Sequence, residues 1–434
     1  MLAQVASRIT DGSHFSPAPQ KQGHLIANVK DMKSGQIDFD ACTRISTAAF
    51  RELKATGCVI KKGDVLLSKD GTVGRVVVYE SDREIGALSS ICLITPQDGQ
   101  DPSFLGHALQ GHDCVRQYEN AMSGSALRRL VLRDIRHIRV PAPTVDEQAK
   151  IARVLDTLDA AIRQTEAIIE KLKHIKQGLL HDLLTRGIDT NGELRPPQSQ
   201  APHLYKDSPL GSIPTEWDLM RLDQMLSTDE PAMRSGPFGS ALLKSELVES
   251  GLPLLGIDNV HIERFVTDFA RFVSEKKFNE LARYAVRPDD LMITIMGTVG
   301  RCCVVPEDIG RALSSKHTWT ISLDKSKYSP LLAMLQINYS PWALRQFAKD
   351  EQGGVMSAIR SETLRSLCLP TPSIEEQRDM ELRMKAISHR IDAESRSVKK
   401  LCLEKFGLMD DLLTGRVRVT PLLTAPEPSA HPET

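Results

Sequence analysis

Apolar residues recur at Ile151, Leu155, Leu158, Ile162, Ile169, Leu172, Leu179 and Leu183, and most of the positions between them are charged or polar. The steps are mostly four then three, which is a heptad pattern. A second such series runs through Met380, Met384, Ile387, Ile391, Val398, Leu401, Leu408 and Leu412, 229 positions further on. The polar gaps coincide as well: Thr165 matches Glu394, and Lys176 matches Lys405. Each pattern lasts about 40 residues, against about 11–12 for a mean globular helix. A helix that long outgrows one small domain, so each is expected to pair with the other as an intramolecular coiled coil about 60 Å long. Thr144 with Glu147, and Ser373 with Glu376, predict capping boxes at the two starts. Gly187 and Gly415 stand where helix ends favour glycine.

Outside these stretches the pattern shortens to β-type runs broken by glycine: "GDVLLSK", "GRVVVYE" and "ICLITP", then "DLMITIM", "RCCVVPE" and "TWTISLD". "GTVGR" occurs at 71–75 and again at 297–301, and "ALSS" follows at 87–90 and 312–315. Pro-x-Pro, Glu-Gln, the long helix and "DLLT" then succeed one another in the same order in both halves. This order predicts a tandem duplication of an α+β unit with a small twisted sheet. The expected segments are a first head at 1–140, a long helix at 141–188 and a connector at 189–214. A second head at 215–369, a long helix at 370–416 and a disordered tail at 417–434 complete the chain. Trp217 is the expected anchor of the second head. A connector of about 30 residues can span on the order of 100 Å, so the pattern leaves the helices' relative orientation open.

Composition narrows the function. The chain has 434 residues and a net charge of −1, which argues against a nucleic-acid binder working by bulk charge and leaves local basic loops as the place for such contacts. The eight cysteines form no C-x-x-C pair and are expected to be reduced core residues in a cytosolic protein, with no metal site. No run reaches the length of a membrane helix. P-loop, G-x-G-x-x-G, H-E-x-x-H and G-x-S-x-G signatures are absent, so no catalytic residue is assigned. The candidates for ligand contact are basic or polar residues in recurring loops. In the first half they are Lys30, Lys33, Lys69, Arg75, Ser89, Ser90, Arg128 and Arg129. In the second they are His261, Arg264, Arg301, Ser314, Lys316, His317 and Arg360. Arginine on a glycine turn suits phosphate or a guanine edge.

With "RITDGSHFSP", "GDVLLSKDGTVG", "PAPTVDEQAKIARVLDTLDAAI", "KQGLLHDLLTRGI", "YKDSPLGSIPTEW" and "PTPSIEEQ" in this order, the chain resembles the specificity subunit of type I restriction–modification enzymes. The resemblance implies two target-recognition domains separated by an antiparallel coiled coil, related by a pseudo-two-fold repeat. It implies that each domain reads one half of a bipartite, asymmetric double-stranded DNA target. The helices, with a seam of Ile151, Leu155, Leu158, Ile162, Ile169, Leu172, Met380, Met384, Ile387, Ile391, Val398 and Leu401, would set the spacer and dock two modification subunits. Those subunits would use S-adenosylmethionine, and restriction subunits would use ATP and magnesium; this chain would hold no cofactor and act in a prokaryotic cytoplasm. The alternatives are a specificity subunit of a related methylation-based phage-defence system and a coiled-coil scaffold that reads no DNA.

Overall fold

The computed structural model describes all residues except 34, 123–127, 297–298, 352–358 and 422–434. Secondary structure is α+β. Two compact units emerge, Met1–Glu170 with Ala393–Thr434, and Lys171–Asp392. Each unit therefore combines a head with one end of both long helices, a grouping that no linear segment reveals.

The heads share one sheet strand for strand. In the first, one antiparallel sheet runs in the order Ala6–Asp11, Ile91–Pro96, Val65–Ser68, Val76–Val78. The second has Met233–Ser235, Thr318–Ile321, Leu291–Thr294, Cys302–Val304 in the same order. Val65–Ser68 and Leu291–Thr294 are buried at every position, because both faces of the strand are covered. A further sheet in each head contains one parallel pairing, Ile26 with Gly86 and Leu254 with Leu313. That sheet has four strands in the first head and five in the second.

Just before the central strand of each head lies a buried carboxylate. Asp64 accepts from Arg8 Nη2 at 2.8 Å, Thr95 Oγ1 at 2.5 Å and Lys61 N at 2.9 Å. Asp290 accepts from Arg234 Nη2, from Ser322 Oγ and from Arg287 N at 2.7 Å. A charge removed from water must be met by such donors or it is costly. Burial pulls the Arg234 guanidinium below its ordinary value, against the opposing charge of Asp290.

The long helices span Val145–Thr185 and Ile374–Leu413. In the first unit Ile151, Ala152 and Leu155 share a core with Leu408, Met409 and Leu412, joined by Phe104 and Ala108 of the head. In the second, Leu180, Leu183 and Leu184 share a core with Met380 and Met384, joined by Leu332 and Leu335. The start of one helix meets the end of the other in both units, so the pair is antiparallel. The seam thus serves the head cores as well as the coiled coil. Ile169 is also buried, whereas Leu158, Ile162, Leu172, Ile387, Ile391, Val398 and Leu401 are half-buried. The two seam lysines differ in use: Lys405 reaches Asp159 of the other helix at 2.6 Å, and Lys176 reaches Glu263 of the head at 2.6 Å.

The helix starts diverge from the simple capping box. Thr144 and Glu147 form it, with Glu147 Oε2 accepting from Thr144 N at 3.1 Å. Ser373 caps Glu376 N at 3.2 Å, but the Glu376 carboxylate turns elsewhere. It accepts from Arg195 Nη1 at 2.6 Å, Ile188 N at 2.8 Å and Trp217 Nε1 at 3.0 Å. Burial works against the Arg195 charge, and the hydrogen bonds it donates to Glu376 and Glu216 outweigh it, holding the guanidinium above its ordinary value. Gly187 has φ +66°, and a methyl group there would lie 2.1 Å from Glu376 Oε1, so only glycine fits. Trp217 is fully buried, as an anchor must be.

Within the connector, Tyr205–Ser208 and Gly211–Pro214 form a hairpin. One expectation needs correction. The tail begins ordered: Arg418 Nη2 reaches Glu147 Oε1 at 3.0 Å and Val419 is 2% exposed. Residues 422–434 lie outside the described residues.

Asp290→Ala strands a 3%-exposed guanidinium and is expected to cost about 3–5 kcal/mol. Asp64→Ala should cost less, about 1–2 kcal/mol, because Arg8 is 29% exposed and can turn to water. Denaturant unfolding of the second unit can be followed by tryptophan fluorescence, since Trp217, Trp319 and Trp342 all lie there. Hydrogen exchange at 65–68 reports the first unit, and equal costs would contradict the argument.

Candidate nucleic-acid interface

Backbone hydrogen bonds tie the recurring loops of the first head together. Ser13 N donates to Ala87 O at 2.7 Å, and Ser89 N donates to Ser13 O at 2.9 Å. Lys69 N donates to Ser90 O at 3.0 Å, and Leu130 N donates to Lys69 O at 2.9 Å. Ser90 Oγ donates to Asn28 Oδ1 at 2.7 Å, and Arg75 Nη1 donates to Met32 O at 3.1 Å. So the loops carrying Lys30, Lys33, Arg75, Ser89, Ser90, Arg128 and Arg129 form one cluster. Lys30, Lys33, Arg75, Arg128 and Arg129 are exposed in it, and Ser89 and Ser90 are half-buried. The Lys33 ammonium is raised above its ordinary value chiefly by its hydrogen bond to Asp38, 2.8 Å away.

Main-chain bonds also tie the loops of the second head. Gly236 N donates to Ser315 O at 3.2 Å, Ser315 N to Leu255 O at 2.8 Å and Ile295 N to His317 O at 3.0 Å. Glu263 N donates to Cys302 O at 3.2 Å, bringing His261 and Arg264 beside Arg301. Trp319 Nε1 donates to Ile359 O at 3.1 Å and so fixes the chain next to Arg360. Arg264, Lys316 and Arg360 are exposed, while His261, Arg301 and His317 are half-buried. The His317 ring is lowered below its ordinary value, first by burial, then by the charges of Lys316 and Arg271.

The same bond closes the repeated turn in both heads. Ser68 Oγ accepts from Arg75 N at 2.7 Å, and Thr294 Oγ1 accepts from Arg301 N at 3.1 Å. Gly71, Gly74 and Gly300 take positive φ, as expected of the turn. Gly297, expected to do the same, lies outside the described residues.

Two candidates are not surface groups. Lys69 is 1% exposed, because its ammonium is drawn in between Asp11 and Asp70. Ser314 is fully buried, its Oγ 2.9 Å from Thr318 Oγ1 inside the sheet. Other residues that shape the loops escaped the sequence reading. Gly12 and Gly236 allow a backbone crossing, since a methyl group there would lie 2.4 Å from Leu88 O and 2.1 Å from Ser314 O. Asn28 caps the turn Val29–Asp31, and Asn259 Oδ1 accepts from Gly256 N at 2.9 Å. The shared dipeptide Asn-Val at 28–29 and 259–260 was the available signal. Among the described residues no cluster of His, Cys, Asp and Glu could hold a metal ion. None of their helices is long and apolar enough to cross a membrane.

Comparison with known proteins places this geometry. Residues 34–174 match the family described as type I restriction modification DNA specificity domain. The chain is 23% identical to the type I restriction enzyme MjaVIII specificity subunit of Methanocaldococcus jannaschii, over 83% of this chain and 80% of that protein. It is 22% identical to the type I restriction enzyme EcoBI specificity subunit of Escherichia coli, over 95% and 84% respectively. Its fold is that of the type I restriction–modification S subunit from M. genitalium, with a TM-score of 0.57 over 95% of this chain and 94% of that one, at 15% identity. The resemblance read from the sequence motifs is thereby borne out.

Gly12→Ala should force the crossing apart at a strain of about 1–3 kcal/mol. Amide exchange at Ser13 and Ser89 is expected to speed at least tenfold, with little change at Ile91–Pro96. Unchanged protection at Ser13 would refute the close-approach argument.

Proposed function

We propose that this chain is the DNA-specificity subunit of a type I restriction–modification complex, each loop cluster reading one half of a bipartite, asymmetric double-stranded target. The observation that carries this reading is the loop cluster itself, built twice in one chain on corresponding strand ends, with shared hydrogen bonds such as Lys69 N to Ser90 O and Ile295 N to His317 O, and with different side chains. A split target needs two readers; unlike side chains on like skeletons make the two half-sites different. Exposed Arg75, Arg128, Arg129, Arg264 and Arg360 supply forks for phosphate or guanine, with Lys30, Lys33 and Lys316 as phosphate partners.

The chain takes no catalytic part. Two modification subunits dock along the long helices and bring S-adenosylmethionine for adenine methylation. Restriction subunits bring ATP and magnesium for translocation and cleavage. All act in a prokaryotic cytoplasm. The helices set the unspecified spacer between half-sites. A net charge of −1 leaves little bulk attraction for DNA, so the isolated subunit binds weakly and with a shallow salt dependence.

Long-read mapping of methylated adenines in cells carrying the whole system tests this. A split motif is expected. Replacing residues 1–140 with a different head should alter one half of it only, and heptad-length insertions in the helices should lengthen the spacer. A continuous motif, or change in both halves at once, would refute the reading.

A further inference from the structure

A buried lysine stands at the centre of the first loop cluster. Lys69 Nζ lies 3.3 Å from Asp70 Oδ2 and 3.5 Å from Asp11 Oδ2. Asp70 Oδ1 in turn holds Arg129 Nε at 3.0 Å, and Asp11 Oδ2 lies 3.5 Å from His14 Nε2. The chain of groups therefore runs from a fully buried ammonium through two carboxylates to two exposed basic side chains. Arg129 is 49% and His14 68% exposed at the side chain. Asp11 Oδ1 is buried and has no hydrogen-bond partner.

The fold does not demand this network. In the second head the corresponding positions hold Ser235, Ile295 and Met296, and Ile295 N donates to His317 O just as Lys69 N donates to Ser90 O. Ile295 is 7% exposed and belongs to the apolar core. Burying an ammonium and a carboxylate where an isoleucine and a serine suffice is costly, so the network answers a need other than folding. An arginine gripped through Nε by a carboxylate loses rotamer freedom and leaves its two terminal nitrogens for the paired acceptors of a guanine edge.

We propose that Lys69 is a positioning residue for recognition of the first half-site, fixing Arg129 through Asp70 and His14 through Asp11. This rests on the reading that the loop cluster meets DNA. Lys69 touches no base; it sets the two side chains that do, and it makes the first head's specificity depend on charge where the second head has an apolar floor.

The test uses the complex assembled with its modification subunits. Lys69→Met alone takes the buried counter-ion from Asp11 and Asp70 and can fail to fold, so the decisive variant is the triple Asp11→Ser, Lys69→Ile, Asp70→Met, which copies the floor of the second head. It is expected to melt close to the wild type and to leave the second half-site unchanged. Discrimination at the first half-site should relax about tenfold or more, read by methylation mapping and by binding to matched and single-mismatch duplexes. Arg129→Lys, which keeps the charge and loses the fork, should relax the same position. A triple variant with both half-sites read as before overturns the proposal. Should the triple not fold, unchanged discrimination in both Arg129→Lys and His14→Gln overturns it. A wild-type complex with no split motif refutes the proposed function instead.

Discussion

A carboxylate removed from water fixes its surroundings, because every donor within reach must be spent on it. Each head is assembled around one such group. Asp64 and Asp290 gather an arginine from the first strand of the sheet, a hydroxyl from its neighbour and a backbone amide from the preceding turn. Those contacts set the order and register of the strands whose ends carry the loops. The loops are then joined mainly by main-chain hydrogen bonds, with Ser90, Arg75 and Trp319 adding side-chain links. This division of labour lets the exposed residues change without disturbing the frame.

The same logic closes the long helices. A glutamate in the first turn of each is met by an arginine that follows the end of the other: Glu147 by Arg418, and Glu376 by Arg195. Helix starts favour negative charge, and the pairing gives each carboxylate a counter-ion as well. The two ends are not equal. Glu376 is enclosed with Trp217 and the Ile188 amide, while Arg418 is 67% exposed. Duplication has kept the principle and changed the degree of burial, much as Lys69 in one head answers Ile295 in the other.

Much of this was legible in the chain. Heptad steps, capping residues, the doubled "GTVGR" and the ordered motifs gave two helices, two like heads and a family resemblance. The candidate loops were also legible, because glycine turns and Asn-Val pairs repeat. Burial was not. Lys69 and Ser314 read as surface groups, since a lysine and a serine after a strand are usually wet; only the position of Asp11 and Thr318 in space draws them in. Arg8 and Arg234 went unnoticed because each meets its aspartate across 56 residues of sequence.

What the sequence determined by itself is periodicity and repetition: where helices run, that the halves are copies, and which loops recur. Hydrophobic period and turn chemistry are local properties of the chain, and a duplication preserves them. The heptads leave the orientation open, and only the family resemblance led to the antiparallel pairing. What the tertiary structure alone decided is the gathering of part of each helix into each compact unit, and which charges are buried. Those outcomes depend on contacts between distant residues, and the cost of removing a charge from water is set by whatever the fold places beside it.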